Sequence, residues 1–85
     1  MKSVKLFYLE NCPFCKRALA YLDELQKQPE YADIKIEMIE ESKQVELADS
    51  YDYYYVPTFY IGEVKVHEGG IYKDEVEALL KQVIE

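Results

Sequence analysis

The sequence contains few of the residues that mark specialised classes of protein. Its 85 residues include no tryptophan, one histidine, two cysteines, three glycines and three prolines. Two cysteines are too few for a small secreted scaffold held together by several disulfides. So little glycine and proline excludes collagen-like and low-complexity chains. No stretch approaches the ~20 consecutive apolar residues that a membrane span requires, so no membrane association is expected.

Positive charge is also scarce. Ten Lys and Arg stand against seventeen Asp and Glu, which gives a formal net charge of −7. Nucleic acid is therefore not expected as a partner, because its phosphates would be repelled. The first five residues, 1–5, lead directly into a strand-like segment without the apolar core of a secretion signal. From this we expect a cytoplasmic protein.

Length and hydrophobic periodicity predict one α/β domain over residues 1–85. Val4–Leu9 has the composition of a strand buried on both faces, and apolar residues recur at helical spacing from Cys15 until Pro29 ends the helix. The remaining predicted elements are a strand over 34–39, a short helix over 45–51 with Ser42 as its N-cap, strands over 58–61 and 64–67 around a type II′ turn at Gly62-Glu63, and a helix over 76–83. The order β-α-β-α-β-β-α predicts a mixed four-stranded sheet flanked by three helices.

The segment Cys12-Pro13-Phe14-Cys15 follows the first strand and opens the first helix. The free N–H groups and the positive dipole end of a helix N-terminus stabilise a thiolate. We therefore predict that Cys12 is the attacking nucleophile. Cys15, one turn later and less exposed, is predicted to be the resolving thiol. Pro13 fixes the backbone of this turn.

Cations follow the second cysteine, where a helix selected for stability alone would carry Asp or Glu. Lys16 and Arg17 favour a nearby thiolate and attract an anionic partner. For Arg17, an ordinary surface position is an equally good interpretation. Glu10 opposes ionisation of Cys12 by its like charge.

Two alternatives to redox chemistry remain open for the cysteines. They could be buried structural thiols, or part of a metal site. A tetrahedral zinc site needs about four ligands, whereas the chain offers Cys12, Cys15 and His67, so no metal site is expected within one chain. A non-enzymatic module that binds a metal or an iron–sulfur cluster through Cys12 across a dimer is the main competing function.

The order of motifs resembles the glutaredoxin branch of the thioredoxin superfamily. The resemblance rests on Cys12-Pro13-Phe14-Cys15 between strand and helix, on Val56-Pro57 before a hairpin, and on Gly69-Gly70 before the last helix. It implies a thioredoxin fold and a thiol–disulfide oxidoreductase that transfers electrons in cellular redox homeostasis. It also implies that Pro57 is a cis-proline facing the cysteines and that the Val56 backbone pairs with a bound thiol substrate. The substrate-binding residues expected from the motif and the resemblance are Pro13, Phe14, Lys16, Tyr55, Val56, Pro57, Gly69 and Gly70.

The sequence departs from the glutaredoxin pattern at three places. Glu10-Asn11 provides no cation before the first cysteine, Tyr55 stands where Thr or Ser is usual, and Ile71-Tyr72-Lys73 delays the acidic Asp74 after the double glycine. The expected partners are disulfide-containing proteins, and no tightly bound cofactor is expected. Two reductants remain open: glutathione, which the resemblance suggests, and a thioredoxin-reductase-type flavoprotein.

The sequence supports weaker predictions about the environment of several further residues. Tyr53 and Tyr54 are predicted at the edge of the core, although an aromatic wall for a substrate is the alternative for Tyr53–Tyr55. Glu40 and Glu41 are predicted to be solvated, and His67 is predicted to be a surface or hairpin residue rather than a base.

Overall fold

A computed structural model describes residues 2–85, so Met1 of the predicted domain lies outside the described residues. The elements are β1 (Val4–Tyr8), α1 (Pro13–Leu25), α2 (Pro29–Ala32), β2 (Ile36–Glu40), α3 (Val45–Asp49), β3 (Thr58–Ile61), β4 (Val64–Glu68) and α4 (Lys73–Ile84). No helix in the described part of the chain is both long enough and apolar enough to cross a lipid bilayer.

The four strands form one mixed sheet in the order β2-β1-β3-β4. Strand β1 pairs in parallel with β2, from Val4 opposite Ile36 to Tyr8 opposite Glu40. It pairs antiparallel with β3 on its other side, and β3 pairs antiparallel with β4. The predicted mixed four-stranded sheet is confirmed, and β1 is central in it.

Neighbouring residues of β1 point to opposite faces of the sheet, and both faces are covered. Leu6 and Phe7 are each 0 % exposed but belong to different clusters. The Leu6 cluster includes apolar residues of α1 and α4, such as Leu22 and Val76. The Phe7 cluster includes Ala48 of α3. This explains why β1 is apolar on both faces, as the sequence predicted.

The predicted number of three helices is wrong, because the structure has a fourth, short one. Pro29 ends α1 but also opens α2, since proline is well suited to the first turn of a helix. The buried Tyr31 of α2 donates its hydroxyl hydrogen to Glu77 Oε2 at 3.0 Å. Burial, followed by this hydrogen bond, raises the pKa of Tyr31 to about 12. One turn of helix among charged residues leaves too little periodicity to be recognised in the sequence.

The predicted capping role of Ser42 is also wrong. Helix α3 begins after Gln44, whose side chain makes no capping hydrogen bond. Ser42 instead donates from its hydroxyl and its backbone N–H to Glu40 Oε1, at 2.6 and 2.7 Å. Ser42 therefore directs its two donors at the buried, ionised Glu40 carboxylate, which is a strong acceptor, instead of accepting from the N–H groups of α3.

The hairpin between β3 and β4 turns at Gly62-Glu63, as predicted. Gly62 has φ +60° whereas Glu63 does not have a positive φ, which is the combination that a type II′ turn requires. The pairing register shifts between Phe59 and Tyr60, so that β4 carries one extra residue, a β-bulge.

A substitution at Phe7 tests the packing of the Phe7 cluster. Its ring lies 4.9 Å from that of Tyr51, 4.8 Å from that of Tyr53 and 5.8 Å from that of Tyr60, measured between centroids. Phe7→Ala leaves a cavity among these rings, and we expect it to lower the free energy of unfolding by about 3–5 kcal/mol. Urea denaturation measures the change, and Val64→Ala, at a position 64 % exposed, is the control with an expected change under about 0.5 kcal/mol. Equal effects of the two substitutions would contradict this packing.

Candidate active site

Cys12 occupies the N-cap position of α1, and Pro13 is the first helical residue. Its backbone is extended, with φ −84° and ψ 121°, so that the side chain turns back over the first turn of the helix. The N–H of Cys15 points at Cys12 Sγ with an N···S distance of 3.4 Å. The sulfur thus takes the place that a Ser or Asp oxygen holds in an ordinary N-cap.

Cys15 lies behind Cys12 in a different environment. It is 0 % exposed, and its Sγ accepts the N–H of Leu9 at 3.5 Å. Burial raises the pKa of the Cys15 thiol to about 12, because a charged sulfur would lose its hydration there. Cys15 is therefore a protonated thiol at neutral pH.

The pKa of the half-buried Cys12 is shifted in the opposite direction. Partial burial opposes its ionisation, but the Cys15 thiol and the backbone N–H groups of Cys15 and Phe14 all hydrogen-bond to its sulfur. Together these donors outweigh burial and lower the pKa of Cys12 below its ordinary value. The two thiols are thereby separated into one that ionises and one that keeps its proton.

A buried carboxylate holds the loop that leads into Cys12. Glu40, only 7 % exposed, accepts the N–H of Glu10 at 3.1 Å in addition to its bonds from Ser42. The Ser42 hydroxyl and then the Glu10 N–H lower the pKa of Glu40, so the carboxylate is ionised. The prediction that Glu40 is solvated is wrong, because the crossover from β1 to β2 places the end of β2 beside this loop.

Two charged residues near Cys12 have surroundings that the sequence did not reveal. Glu10 forms an ion pair with Lys43 at 2.6 Å, so its charge is partly compensated. Glu41, predicted to be solvated, is half-buried, and burial raises its pKa. Lys16 is exposed on the first turn of α1 as expected, and its effect on Cys12 stays a prediction.

Phe14 and Gly70 meet beside the dithiol. Phe14 is 53 % exposed, and its ring lies so close to Gly70 that a Cβ there would be 3.2 Å from the nearest ring carbon. The Arg17 guanidinium lies over the same ring, 5.4 Å from its centroid. A cleft of about 180 Å³ is bounded by Phe14, Arg17, Tyr21, Gly70, Ile71 and Tyr72. Arg17 is exposed and lies at the edge of this cleft, so its functional role stays a prediction beside the ordinary surface interpretation.

The Val56–Pro57 peptide bond is cis, as the resemblance implies. The Pro57 carbonyl accepts the N–H of Gly69 at 2.8 Å. Gly69 has φ +92°, a backbone conformation that favours glycine. The proline motif and the first glycine of the double-glycine motif are therefore in direct contact, although twelve positions separate them.

The three consecutive tyrosines before Val56 do not share one environment. Tyr53 packs on Phe7 at the edge of the core, as predicted, and burial raises its pKa to about 12. Tyr54 is 86 % exposed, so its predicted position at the core edge is wrong, and Tyr55 is 70 % exposed. Their backbone N–H groups both donate to Glu68 of β4. Sequence reasoning missed Glu68, since its position depends on the β-bulge.

Gly70 has one more polar contact. His67 Nε2 lies 2.8 Å from the Gly70 carbonyl oxygen. His67 is half-buried near the end of β4 and therefore lies in the hairpin, as predicted.

Comparison with known proteins identifies the family. A family model described as glutaredoxin matches residues 4–66, about three quarters of the chain. The chain belongs to the glutaredoxin family. The match includes Cys12–Cys15 and Val56-Pro57, and it ends before Gly69-Gly70. No curated protein matches the chain.

Solved structures with the same fold come from distant organisms. A malarial protein superposes with a TM-score of 0.75 at 21 % identity, with 96 % of each chain covered. The thioredoxin Deadhead of Drosophila melanogaster has a TM-score of 0.73 at 18 % identity, covering 96 % of this chain and 80 % of its own. Thioredoxin f2 of Chlamydomonas reinhardtii has a TM-score of 0.62 at 25 % identity, covering 96 % and 78 %. The glutaredoxin-family chain therefore has the thioredoxin fold, and family and fold together indicate a thiol–disulfide oxidoreductase.

Because the pKa of Cys12 is lowered and that of Cys15 is raised, we expect selective alkylation of the reduced protein. We expect iodoacetamide to modify Cys12 with a pH midpoint below the ~8.5 of a free cysteine, while Cys15 reacts far more slowly at neutral pH. Mass spectrometry of peptides from samples quenched across a pH series measures both rates. A midpoint at or above that of free cysteine would contradict the hydrogen-bond account.

Charge variants on α1 extend this measurement. Lys16→Glu should raise the Cys12 midpoint, because it replaces a cation near the thiolate with an anion. Lys27→Glu, just beyond the far end of α1, should leave it unchanged, since a helix of this length exceeds the screening distance of roughly 8–10 Å. Equal shifts in both variants would show that net charge alone tunes Cys12.

Proposed function

We propose that this protein reduces disulfides in other proteins through Cys12 and Cys15, with glutathione-mixed disulfides among its substrates. The observation that carries the proposal is the asymmetry of the dithiol. Cys12 is half-buried at a helix N-terminus with hydrogen-bond donors directed at its sulfur, whereas Cys15 is fully buried and protonated. This is the distribution of charge that nucleophilic attack by one thiol and later resolution by the other require.

In the first step, the Cys12 thiolate attacks one sulfur of the substrate disulfide. A bond forms between Cys12 Sγ and that sulfur, the substrate S–S bond breaks, and the other substrate sulfur leaves as a thiolate that takes up a proton. Donors that stabilise the Cys12 thiolate increase its fraction at neutral pH relative to an ordinary cysteine.

In the second step, Cys15 loses its proton and attacks Cys12 Sγ. The Cys12–Cys15 disulfide forms, the mixed disulfide breaks, and the remaining substrate thiolate leaves and takes up a proton. The substrate has gained two electrons, and an external reductant must return two electrons to the Cys12–Cys15 disulfide. The high pKa of Cys15 keeps this thiol from competing with Cys12 for the substrate in the first step.

Exposed aromatic side chains within the Cys12–Cys15 segment, in the cleft beside it and just before Val56-Pro57 support a protein substrate. Phe14, Tyr54, Tyr55 and Tyr72 are 53, 86, 70 and 74 % exposed. Large exposed aromatic side chains are typical of protein interaction sites. We assign substrate contact to this surface together with Pro13, Lys16, the Val56 backbone, Pro57, Gly69 and Gly70.

We assign the protein to the cytoplasm, where thiols are kept reduced and a dithiol reductase can be recycled. No tightly bound cofactor is part of the proposal. Glutathione is the first candidate for the electron donor, because Arg17 provides a cation beside a cleft near the dithiol and the family is that of glutaredoxins. A thioredoxin-reductase-type flavoprotein is the alternative donor.

Two cysteine variants test the order of events. Cys12→Ser should abolish disulfide reduction, because the nucleophile is lost. Cys15→Ser should accumulate a mixed disulfide, because attack proceeds but intramolecular release does not. After exposure to glutathione disulfide, mass spectrometry should find one glutathione on Cys12 of the Cys15→Ser protein and none on the Cys12→Ser protein.

The opposite result would reverse the roles of the two cysteines, and an absence of any adduct would argue against glutathione as a partner. A visible absorption band in the purified protein, lost in Cys12→Ser, would favour the competing iron–sulfur function.

A coupled assay distinguishes the two reductants. With a disulfide substrate and NADPH, we expect turnover with glutathione plus glutathione reductase. Arg17→Gln should raise the KM for glutathione severalfold, because a charged partner for its carboxylates is lost. Lys27→Gln, on an exposed position far from the cleft, is the matched control. Turnover with a thioredoxin reductase alone would assign the flavoprotein as the donor instead.

A further inference from the structure

Glu68, the last residue of β4, uses both carboxylate oxygens to connect two segments. Oε2 accepts the N–H of Tyr54 at 2.5 Å and the N–H of Tyr55 at 3.0 Å. Oε1 accepts a hydrogen bond from Lys65 Nζ at 2.7 Å. One side chain of the edge strand therefore binds two consecutive backbone donors of the loop that leads to Val56.

The β-bulge makes this arrangement possible. In a regular strand, residues three positions apart point to opposite faces, so Lys65 and Glu68 could not meet. In the hairpin, Lys65 pairs with Tyr60 and Glu68 pairs with Thr58. Tyr60 and Thr58 are two positions apart and share a face, so the extra residue in β4 brings Lys65 and Glu68 to the same face.

The loop from Tyr54 to Val56 is held at other points as well. The Thr58 hydroxyl donates to the Tyr55 carbonyl, and the Gly69 N–H donates to the Pro57 carbonyl. The Tyr54 and Tyr55 side chains nevertheless remain exposed. The polar contacts thus fix the backbone of the loop and leave its aromatic side chains free for a partner.

The charge of Glu68 suits this role. Lys65, followed by the Tyr54 and Tyr55 N–H groups, lowers the pKa of Glu68 to about 2. A carboxylate with this pKa stays ionised at every pH at which the dithiol works, and an ionised acceptor forms stronger hydrogen bonds to backbone N–H groups than a neutral one.

We propose that Glu68 is a positioning residue for the binding of protein substrates, because it holds the backbone of Tyr54 and Tyr55 so that Val56 and the two tyrosines face an incoming polypeptide. The inference rests on the proposed function and deepens it. It assigns to Glu68 the recognition of polypeptide disulfides and no part in the chemistry at Cys12.

The experiment compares two substrates that differ in their need for the loop. One is a peptide of about ten residues disulfide-bonded to a chromogenic thiol, and the other is the small disulfide bis(2-hydroxyethyl) disulfide. Glu68→Ala and Glu68→Thr both remove the acceptor, and Thr suits a β-strand. Glu68→Gln keeps an oxygen that can accept both N–H groups. Glu63→Ala, at the exposed turn of the same hairpin, is the matched control.

We expect Glu68→Ala and Glu68→Thr to raise the KM for the peptide about tenfold, with kcat changed less than twofold. The small disulfide should be reduced at the wild-type rate, and the rate of Cys12 alkylation should not change. Glu68→Gln should restore the KM to within about threefold of wild type, and Glu63→Ala should match wild type.

Other outcomes overturn the inference. One is an unchanged peptide KM in the Ala and Thr variants, and another is an equal loss of activity on both substrates. A third is a Gln variant whose peptide KM is as high as that of the Ala variant. A fourth is a failure of both the Ala and Thr variants to fold, which would make Glu68 a residue for stability alone. A wild-type protein that reduces neither substrate would overturn the proposed function and this inference with it. An active wild type with unaffected variants would overturn the inference alone.

Discussion

The hydrogen bonds from the first turn of α1 to the Cys12 sulfur are the interaction on which the chemistry depends. They exist because Cys12 is the N-cap, which leaves the N–H groups of Phe14 and Cys15 without partners inside the helix. The same turn places Cys15 one helical turn later, on the face that packs against the sheet. One local geometry therefore lowers the pKa of one thiol and leaves the other buried with a raised pKa.

The central strand β1 fixes where this turn lies. Both faces of β1 are covered, so the chain leaving it has little freedom, and the Leu9 N–H that follows β1 is directed at Cys15 Sγ. The N-terminus of α1 consequently lies at the end of the sheet. Burial of Leu6 and Phe7 on opposite faces thus determines the position of the reactive sulfur atoms as well as the stability of the domain.

Two carboxylates at the ends of strands hold the loops that lead to Cys12 and to Pro57. Glu40, at the end of β2, accepts the Glu10 N–H of the loop before Cys12. Glu68, at the end of β4, accepts the Tyr54 and Tyr55 N–H groups of the loop before Pro57. In both cases an ionised side chain satisfies backbone donors that the sheet does not pair. Some of the acidic residues of this protein therefore hold its loops in place instead of only adding charge to the surface.

Local sequence patterns were enough to predict the order of the strands and main helices along the chain, the placement of Cys12 and Cys15 at the first helix, and the type of the hairpin turn. These features depend on periodicity, on proline and glycine, and on residues close together in the chain. Four features became visible only in the folded chain: α2 forms around Tyr31, Ser42 and Glu40 pair with each other, Tyr54 is exposed, and Glu68 binds the loop before Pro57. Each of these depends on contacts between strands or helices whose relative position, such as the one-residue shift in β4, no local pattern encodes.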